Sequence, residues 1–311
     1  MKTKQSLSFQ AQAGIGKGLI ETFYRRTGRR LGAEVKKFKG EVDLEWSAIE
    51  TGKKETLVML HGFSDRRESF YFAAGSLKKR FNLILPDLPG FGKSTLDQSL
   101  EYSLENYGRW LGEFIEKACP ESFHLAGSSM GGAVAATLAA GFPDRIKSLC
   151  LENSAGFYLP GRVSIHEEAL DGINIFQIDS AEEYERLRDR IFKKKPALPR
   201  FVREYMIKQA MDNKEWYGKI FNDLMDMESV HKGLASMEEI SLNSLCLEIQ
   251  MPTLLIWGRH DTLFPWETAS FLENRIPDAR VHIFENLGHA PHLEDPSGFA
   301  GVVSDFISGL E

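Results

Sequence analysis

Between residues 56 and 151 the chain alternates short, wholly apolar runs with longer stretches of helical spacing. The apolar runs are Thr56–Leu60 (TLVML), Phe81–Leu85, Phe123–Ala126 and Ile146–Leu151 (IKSLCL). A strand that is apolar on both faces belongs inside a parallel sheet, covered by helices on each side. The stretches between them, Glu68–Lys79, Ser103–Ala118 and Gly132–Gly141, place apolar residues on one helical face. Strand and helix in alternation predict an α/β fold with a mostly parallel central sheet flanked by helices. Ahead of this, Val42–Ile49 alternates well enough to be a strand of an opening hairpin. Beyond it, Thr253–Trp257 (TLLIW) and Arg280–Phe284 (RVHIF) resume the sheet pattern, and Ser297–Leu310 closes the chain as a helix.

The alternation stops near Ser154. Residues 155–245 are rich in helix formers and charge, as in AEEYERLRDRIF and FVREYMIKQAM, and no long β-branched run interrupts them. They read as a helical insertion. The expected organisation is therefore a basic N-terminal segment over 1–40, a core made of 41–154 and 246–311, and the insertion over 155–245.

Composition adds one asymmetry. The 311 residues are 42% hydrophobic, which is ample for one large domain. Residues 1–40 hold ten Lys/Arg against Glu21 and Glu34, an excess of eight positive charges that leaves −14 for the rest of a chain of net charge −6. There is no nucleic-acid motif, and the basic stretch is terminal rather than a patch across the core, so no nucleic-acid partner is expected. Ile15, Leu19, Ile20, Phe23 and Tyr24 form an apolar stripe beside Arg25, Arg26, Arg29 and Arg30. Such a stripe suits peripheral contact with a membrane surface, or packing of the segment onto its own acidic domain. No run is long enough to span a bilayer. Cys119, Cys150 and Cys246 are odd in number and widely spaced, which fits free thiols and a cytoplasmic location. None has metal-ligand spacing to another, and neither a metal nor a cofactor is expected.

The chemistry lies at the ends of the apolar runs. Gly127-Ser128-Ser129-Met130-Gly131 follows one of them and precedes a helix. Gly-x-Ser-x-Gly at a strand-to-helix turn exposes a strained Ser, with glycines where side chains would collide. Only Ser129 has both glycines, Gly127 and Gly131. His61-Gly62-Phe63, Asp87-Leu88-Pro89-Gly90-Phe91-Gly92, Trp257-Gly258-Arg259-His260-Asp261 and Gly288-His289-Ala290-Pro291 follow four other runs. An open α/β sheet builds its site at such strand ends. The order Ser129, Asp261, His289 is the nucleophile–acid–base order that accompanies this turn.

HGF, DLPGFGKS, GSSMGG, WGRHD and GHAPHLEDP together resemble the α/β-hydrolase family, over about residues 42–308 apart from the insertion. HGF with DLPGFG, GSSMGG and LCLENSAG resembles most its bacterial esterase/lipase branch, which includes monoacylglycerol lipases. The resemblance implies that the insertion is a helical cap and that the substrate is a small-molecule ester or lipid. It also implies a serine esterase acting through an acyl-enzyme. Ser129 attacks, His289 takes and returns the proton, and Asp261 orients the imidazole. The backbone N–H groups of Phe63 and Met130 receive the oxyanion. His61 and Gly62 shape the oxyanion loop.

Competing assignments remain at this level. His292 stands three residues from His289, and Glu152 ends a strand from which an acid reaches the same imidazole. His260 reads as a loop residue, Asp87 as ordering its turn, and Arg66 and Arg67 as solvated charges. Of the insertion's aromatics (Phe157, Tyr158, Phe176, Trp216, Tyr217, Phe221), one or two are expected to face Ser129, because an acyl pocket is apolar. A C–C bond hydrolase of ring-cleavage products would share fold and triad. It would need polar groups for a dienoate carboxylate, and Phe63-Ser64-Asp65-Arg66-Arg67 lacks the Gly-rich loop usual there. A small-molecule-binding protein on the same scaffold is the third reading.

Overall fold

The computed structural model describes residues 8–310. The elements in chain order are α1 (Phe9–Leu31), β1 (Glu34–Phe38), β2 (Leu44–Ile49), β3 (Thr56–Leu60), α2 (Tyr71–Leu77) and β4 (Asn82–Pro86). Then come α3 (Leu104–Ala118), β5 (Phe123–Ser128), α4 (Met130–Gly141) and β6 (Ile146–Glu152). Six α-helices and a 3-10 helix (Leu242–Glu248) separate β6 from the next strand: α5 (Ile165–Leu170), α6 (Ala181–Ile191), α7 (Arg200–Asp212), α8 (Lys214–Met225), α9 (Met227–His231) and α10 (Met237–Ile240) come first. β7 (Thr253–Gly258), α11 (Glu267–Glu273), β8 (Ala279–Phe284), α12 (Pro291–Glu294) and α13 (Pro296–Ser308) complete the chain.

The eight strands form one sheet in the order β1-β2-β4-β3-β5-β6-β7-β8. β1 and β2 are antiparallel, β2 joins β4 antiparallel, and every pairing from β4 to β8 is parallel. The wholly apolar runs become the inner parallel strands because both of their faces are covered. On β3, Val58 and Leu60 pack toward α3 and α4, while Leu57 and Met59 pack toward α2 and α13. β1 pairs with β2 as the hairpin partner and lies inside the stretch read as the basic N-terminal segment. Its Val35 is exposed at the sheet edge.

α3 shows why these helices form where they do. Ser103 caps its first turn by accepting from Asn106 N, and Lys117 lies in the last turn, where a cation suits the dipole. Tyr107, Trp110, Leu111, Phe114 and Ile115 occupy one face and are buried. Phe114 packs edge-on to Phe38 and Trp46. Its replacement by Ala would cost about 3–5 kcal/mol.

α1 begins at the N-cap Ser8 and ends at Gly32, whose φ of 77° is left-handed. The stripe foreseen along it is divided. Ile20 and Tyr24 turn partly inward, whereas Ile15, Leu19 and Phe23 stay exposed. The inner face packs on α7 and α2. A Cβ on Gly16 would lie 1.7 Å from the Phe201 carbonyl oxygen, and Gly28 rests against the Tyr71 ring. No helix among the described residues is long and apolar enough to cross a membrane.

Candidate active site

Register brings the ends of the parallel strands together. Leu60 pairs with Gly127, Ser128 with Glu152, and Glu152 with Ile256. The loops carrying Gly62, Ser129, Asn153, Asp261 and His289 therefore open at one edge of the sheet.

Ser129 has φ 54° and ψ −119°, a conformation that costs a non-glycine residue on the order of 1–3 kcal/mol. The turn is held from both sides: Ser129 N donates to Glu152 O (2.9 Å), and Ser129 O accepts from Gly132 N (2.9 Å) and Ala155 N (3.0 Å). Close approach dictates the two glycines. A Cβ on Gly127 would lie 2.1 Å from Gly131 O, and one on Gly131 would lie 2.2 Å from Leu60 O. Met130 opens α4, so its N–H has no acceptor inside the helix and points with the positive end of the dipole. Phe63 N, on the loop across from it, donates to no protein acceptor among the described residues. His61 fixes that loop: its Nδ1 lies 2.8 Å from Gly62 O, and its Nε2 accepts from Leu88 N at 2.9 Å.

His289 Nδ1 lies 2.9 Å from Asp261 Oδ2, and both residues are buried. Asp261 is saturated with donors. Oδ1 accepts from Leu263 N (2.8 Å) and Phe264 N (3.2 Å), and Oδ2 accepts a second bond from Asn153 Nδ2 (2.5 Å). Four donors fix the orientation of this carboxylate. His289 N donates to Ile191 O (2.7 Å), so a helix of the insertion helps to hold the imidazole loop. Ser129 and His289 line the same cavity without being hydrogen-bonded to each other, a looseness common before substrate is engaged.

Glu152 does not contact His289. Its Oε1 accepts from His292 N at 2.7 Å, and its Oε2 lies 2.8 Å from His292 Nδ1 in a charge contact poorly aligned for a hydrogen bond. Burial pulls the His292 pKa down, but Glu152, with Asp65 and Glu294 further off, more than offsets this and leaves it above the ordinary value. The two competing assignments thus satisfy each other. His260 is exposed on its loop. Asp87 orders its turn by accepting from Arg67 N (2.8 Å) and Lys93 N (2.9 Å). Arg67 departs from the solvated-charge expectation. It is buried and paired with Asp87 and Glu45, because the turn after β4 folds over it. Arg66 pairs with Glu68 at 2.7 Å.

Asn153 is the site residue that sequence reasoning missed. It accepts from Gly258 N as well as donating to Asp261, and it adopts φ 43°. The available signal was its place directly after Glu152, at the end of a central strand next to the one that carries Asp261.

Two cavities meet at Ser129. The larger, about 200 Å³, is walled by Phe63, Phe176, Tyr217, Met206, Leu263 and His289 among others. The smaller, about 50 Å³, is apolar and lies between Leu104, Phe221, Met225 and Phe264. Phe176, Tyr217 and Phe221 are the insertion aromatics that face the serine. Phe63 stacks on Phe176 at 4.2 Å between centroids. The other three, Phe157, Tyr158 and Trp216, belong to neither wall.

Residues 55–296 match the family described as alpha/beta hydrolase fold. The chain belongs to that family. The hydrolase is 32% identical over 258 residues to Lipase 1 of Psychrobacter immobilis, a match covering 83% of this chain and 78% of that one. It is 31% identical over 307 residues to monoacylglycerol lipase abhd6-B of Xenopus laevis, covering 94% and 88% respectively. Among solved structures it is similar to a membrane phospholipase A described as a bacterial virulence factor. There the TM-score is 0.85 and the identity 26%, with 95% of this chain and 92% of that one covered. The hydrolase is thus an enzyme of the lipase/esterase type.

Proposed function

We propose that the enzyme is a serine carboxylic-ester hydrolase working through an acyl-enzyme. Ser129 is the nucleophile, His289 the base and Asp261 the acid. The observation that carries this reading is the buried Asp261–His289 pair on the wall of a cavity that Ser129 also lines. As Ser129 Oγ attacks the ester carbonyl, its proton passes to His289 Nε2. The imidazolium is stabilised by Asp261, and the proton then goes to the leaving alkoxide. The oxyanion meets Phe63 N–H and Met130 N–H, two donors worth about 3 kcal/mol each in the transition state. Water repeats the sequence to release the acid. Gly62, Gly127 and Gly131 leave room for this geometry, and His61 braces the loop.

In the same reading, residues 155–245 are a cap whose aromatics supply the apolar walls, over a core of 41–154 and 246–311. The substrate is a lipid ester of the monoacylglycerol kind, to which the apolar lining and the paired cavities lend support. A C–C hydrolase is disfavoured by the larger cavity. Arg188 is the one Lys or Arg among its described lining residues, and it is tied to Glu185 and to Pro196 O, so no cation is free for a dienoate. Three free, separated cysteines support a cytoplasmic place. The exposed Ile15, Leu19 and Phe23 beside the basic residues of α1 support peripheral contact with a membrane. Residues 1–7 of the basic segment lie outside the described residues.

The test is hydrolysis of p-nitrophenyl butyrate by wild type and Ser129→Ala. The reading expects activity to fall to background in the variant, and retained turnover would overturn it. For the membrane part, Leu19→Glu/Phe23→Glu is expected to lose co-sedimentation with anionic vesicles. Unchanged binding counts against that part alone.

A further inference from the structure

The two cavities at Ser129 differ in kind, and the imidazole tells them apart. Phe63, Ser129 and Phe176 line both, whereas His289 lines only the larger. Phe264 packs on the His289 ring at 5.6 Å between centroids and lines only the smaller, which therefore meets a phenyl ring instead of a proton donor. With Nδ1 held by Asp261, Nε2 is the nitrogen left to protonate the departing oxygen. That oxygen must come within hydrogen-bond reach of it. The alcohol half of an ester is thereby placed in the larger cavity and the acyl half in the smaller.

The linings agree with this division. The larger cavity carries Ser64, Asp65 and Gln209, groups that suit the hydroxyls of an alcohol. Apart from Ser129, no described residue lining the smaller one has a polar side chain, as an alkyl chain requires. Size then limits that chain. At about 10–15 Å³ per water-sized group, the pocket of about 50 Å³ takes about three to five carbons beyond the carbonyl. The cavity of about 200 Å³ takes about a dozen heavy atoms or more on the same measure. Polarity closes the way out. Leu104, Leu224 and Met225 wall the smaller pocket, while their chain neighbours Ser103, Glu105, Asp223 and Asp226 line an acidic cleft of about 880 Å³. A longer chain forced past that wall would press hydrocarbon against carboxylates and strip them of water, which is costly.

We infer that the enzyme selects short acyl groups, about four to six carbons counting the carbonyl, and accepts a larger alcohol. Leu104 and Met225 set the acyl limit. The inference rests on the ester-hydrolase reading above and narrows it to short-chain esters.

The experiment compares octyl butyrate with butyl octanoate, isomers of matched size and hydrophobicity that differ in which side of the ester is long. In one neutral detergent, wild type is expected to favour octyl butyrate in kcat/KM by about tenfold or more. Among p-nitrophenyl esters, kcat/KM is expected to peak at butyrate or hexanoate and to fall about tenfold by decanoate. Leu104→Ala and Met225→Ala, at half-buried positions, enlarge the pocket and are expected to shift the isomer ratio toward butyl octanoate by about tenfold. Equal rates on the isomers, or a preference for butyl octanoate, overturn the inference alone. So does a wild-type ratio kept by both variants when thermal melts show them folded. Where a variant does not fold, the wild-type isomer ratio decides. No turnover of either isomer or of p-nitrophenyl butyrate overturns the hydrolase reading, and this inference with it.

Discussion

Gly62→Ala separates folding from catalysis at this site. Gly62 does not have a positive φ, so an Ala is compatible with its backbone. Its Cβ would sit 3.3 Å from Ser129 Cβ, 3.5 Å from Ser128 O and 3.8 Å from Ser129 Oγ. The first contact requires its neighbour to give by a few tenths of an ångström while the other two are ordinary, and the expected loss of stability is about 1 kcal/mol. The catalytic consequence is larger. The substrate carbon must bond to Oγ while its oxygen reaches Phe63 N–H, and the new methyl stands in that path. Loss of one oxyanion donor typically costs about 100- to 1,000-fold in kcat. The assay is kcat on p-nitrophenyl butyrate beside a thermal melt. A variant that keeps kcat within threefold of wild type would show that the loop after β3 is not the oxyanion wall. Gly131→Ala is the contrasting case. Its Cβ would lie 2.2 Å from Leu60 O and 2.5 Å from His61 O, both backbone, so it is expected to lose about 2 kcal/mol or more of stability.

Three further outcomes follow from named contacts. Asn153→Gly suits the positive φ but removes the amide shared by Asp261 and Gly258. A hydrogen bond to a charged group is worth about 1.5–3 kcal/mol, so kcat should fall at least tenfold, and unchanged kcat would refute the role. Glu152→Ala strands the buried His292 and should cost about 3–5 kcal/mol in urea unfolding. Glu152→Gln keeps an acceptor for His292 N and should cost clearly less, so equal losses would contradict the pairing. His166 is fully buried in α5, and desolvation lowers its pKa from 6.5 to about 4. Between those values the unfolded chain binds the proton and the folded chain does not. Its share of stability is therefore whole above pH 6.5 and falls by about 3 kcal/mol toward pH 4. Melting of His166→Phe across that range should show a shallower acid limb than wild type, and an identical limb would refute the assignment.

The sheet was legible because TLVML, FHLA and TLLIW are apolar on both faces, and only an inner parallel strand satisfies such a run. The Ser129 turn was legible because backbone contacts at 2.1 and 2.2 Å admit no side chain at Gly127 or Gly131. β1 was hidden by its composition: EVKKF is an edge strand with one buried residue, so charge obscured the alternation. The short α11 and α12 were hidden as well, since four to seven residues carry no period. The pairing of His292 with Glu152 depends on which loop comes within reach, and spacing along the chain does not contain that information. The division of α1 into a packed and an exposed face likewise depends on α7, whose position only the folded insertion sets.

The central claim is a covalent acyl-enzyme on Ser129. Its most direct test is intact-mass and peptide-level mass spectrometry after reaction with a fluorophosphonate. The account predicts a single adduct on the peptide containing Ser129, absent in Ser129→Ala and slowed strongly in His289→Ala. Labelling at any other residue, or failure of the folded wild-type protein to label, would contradict it.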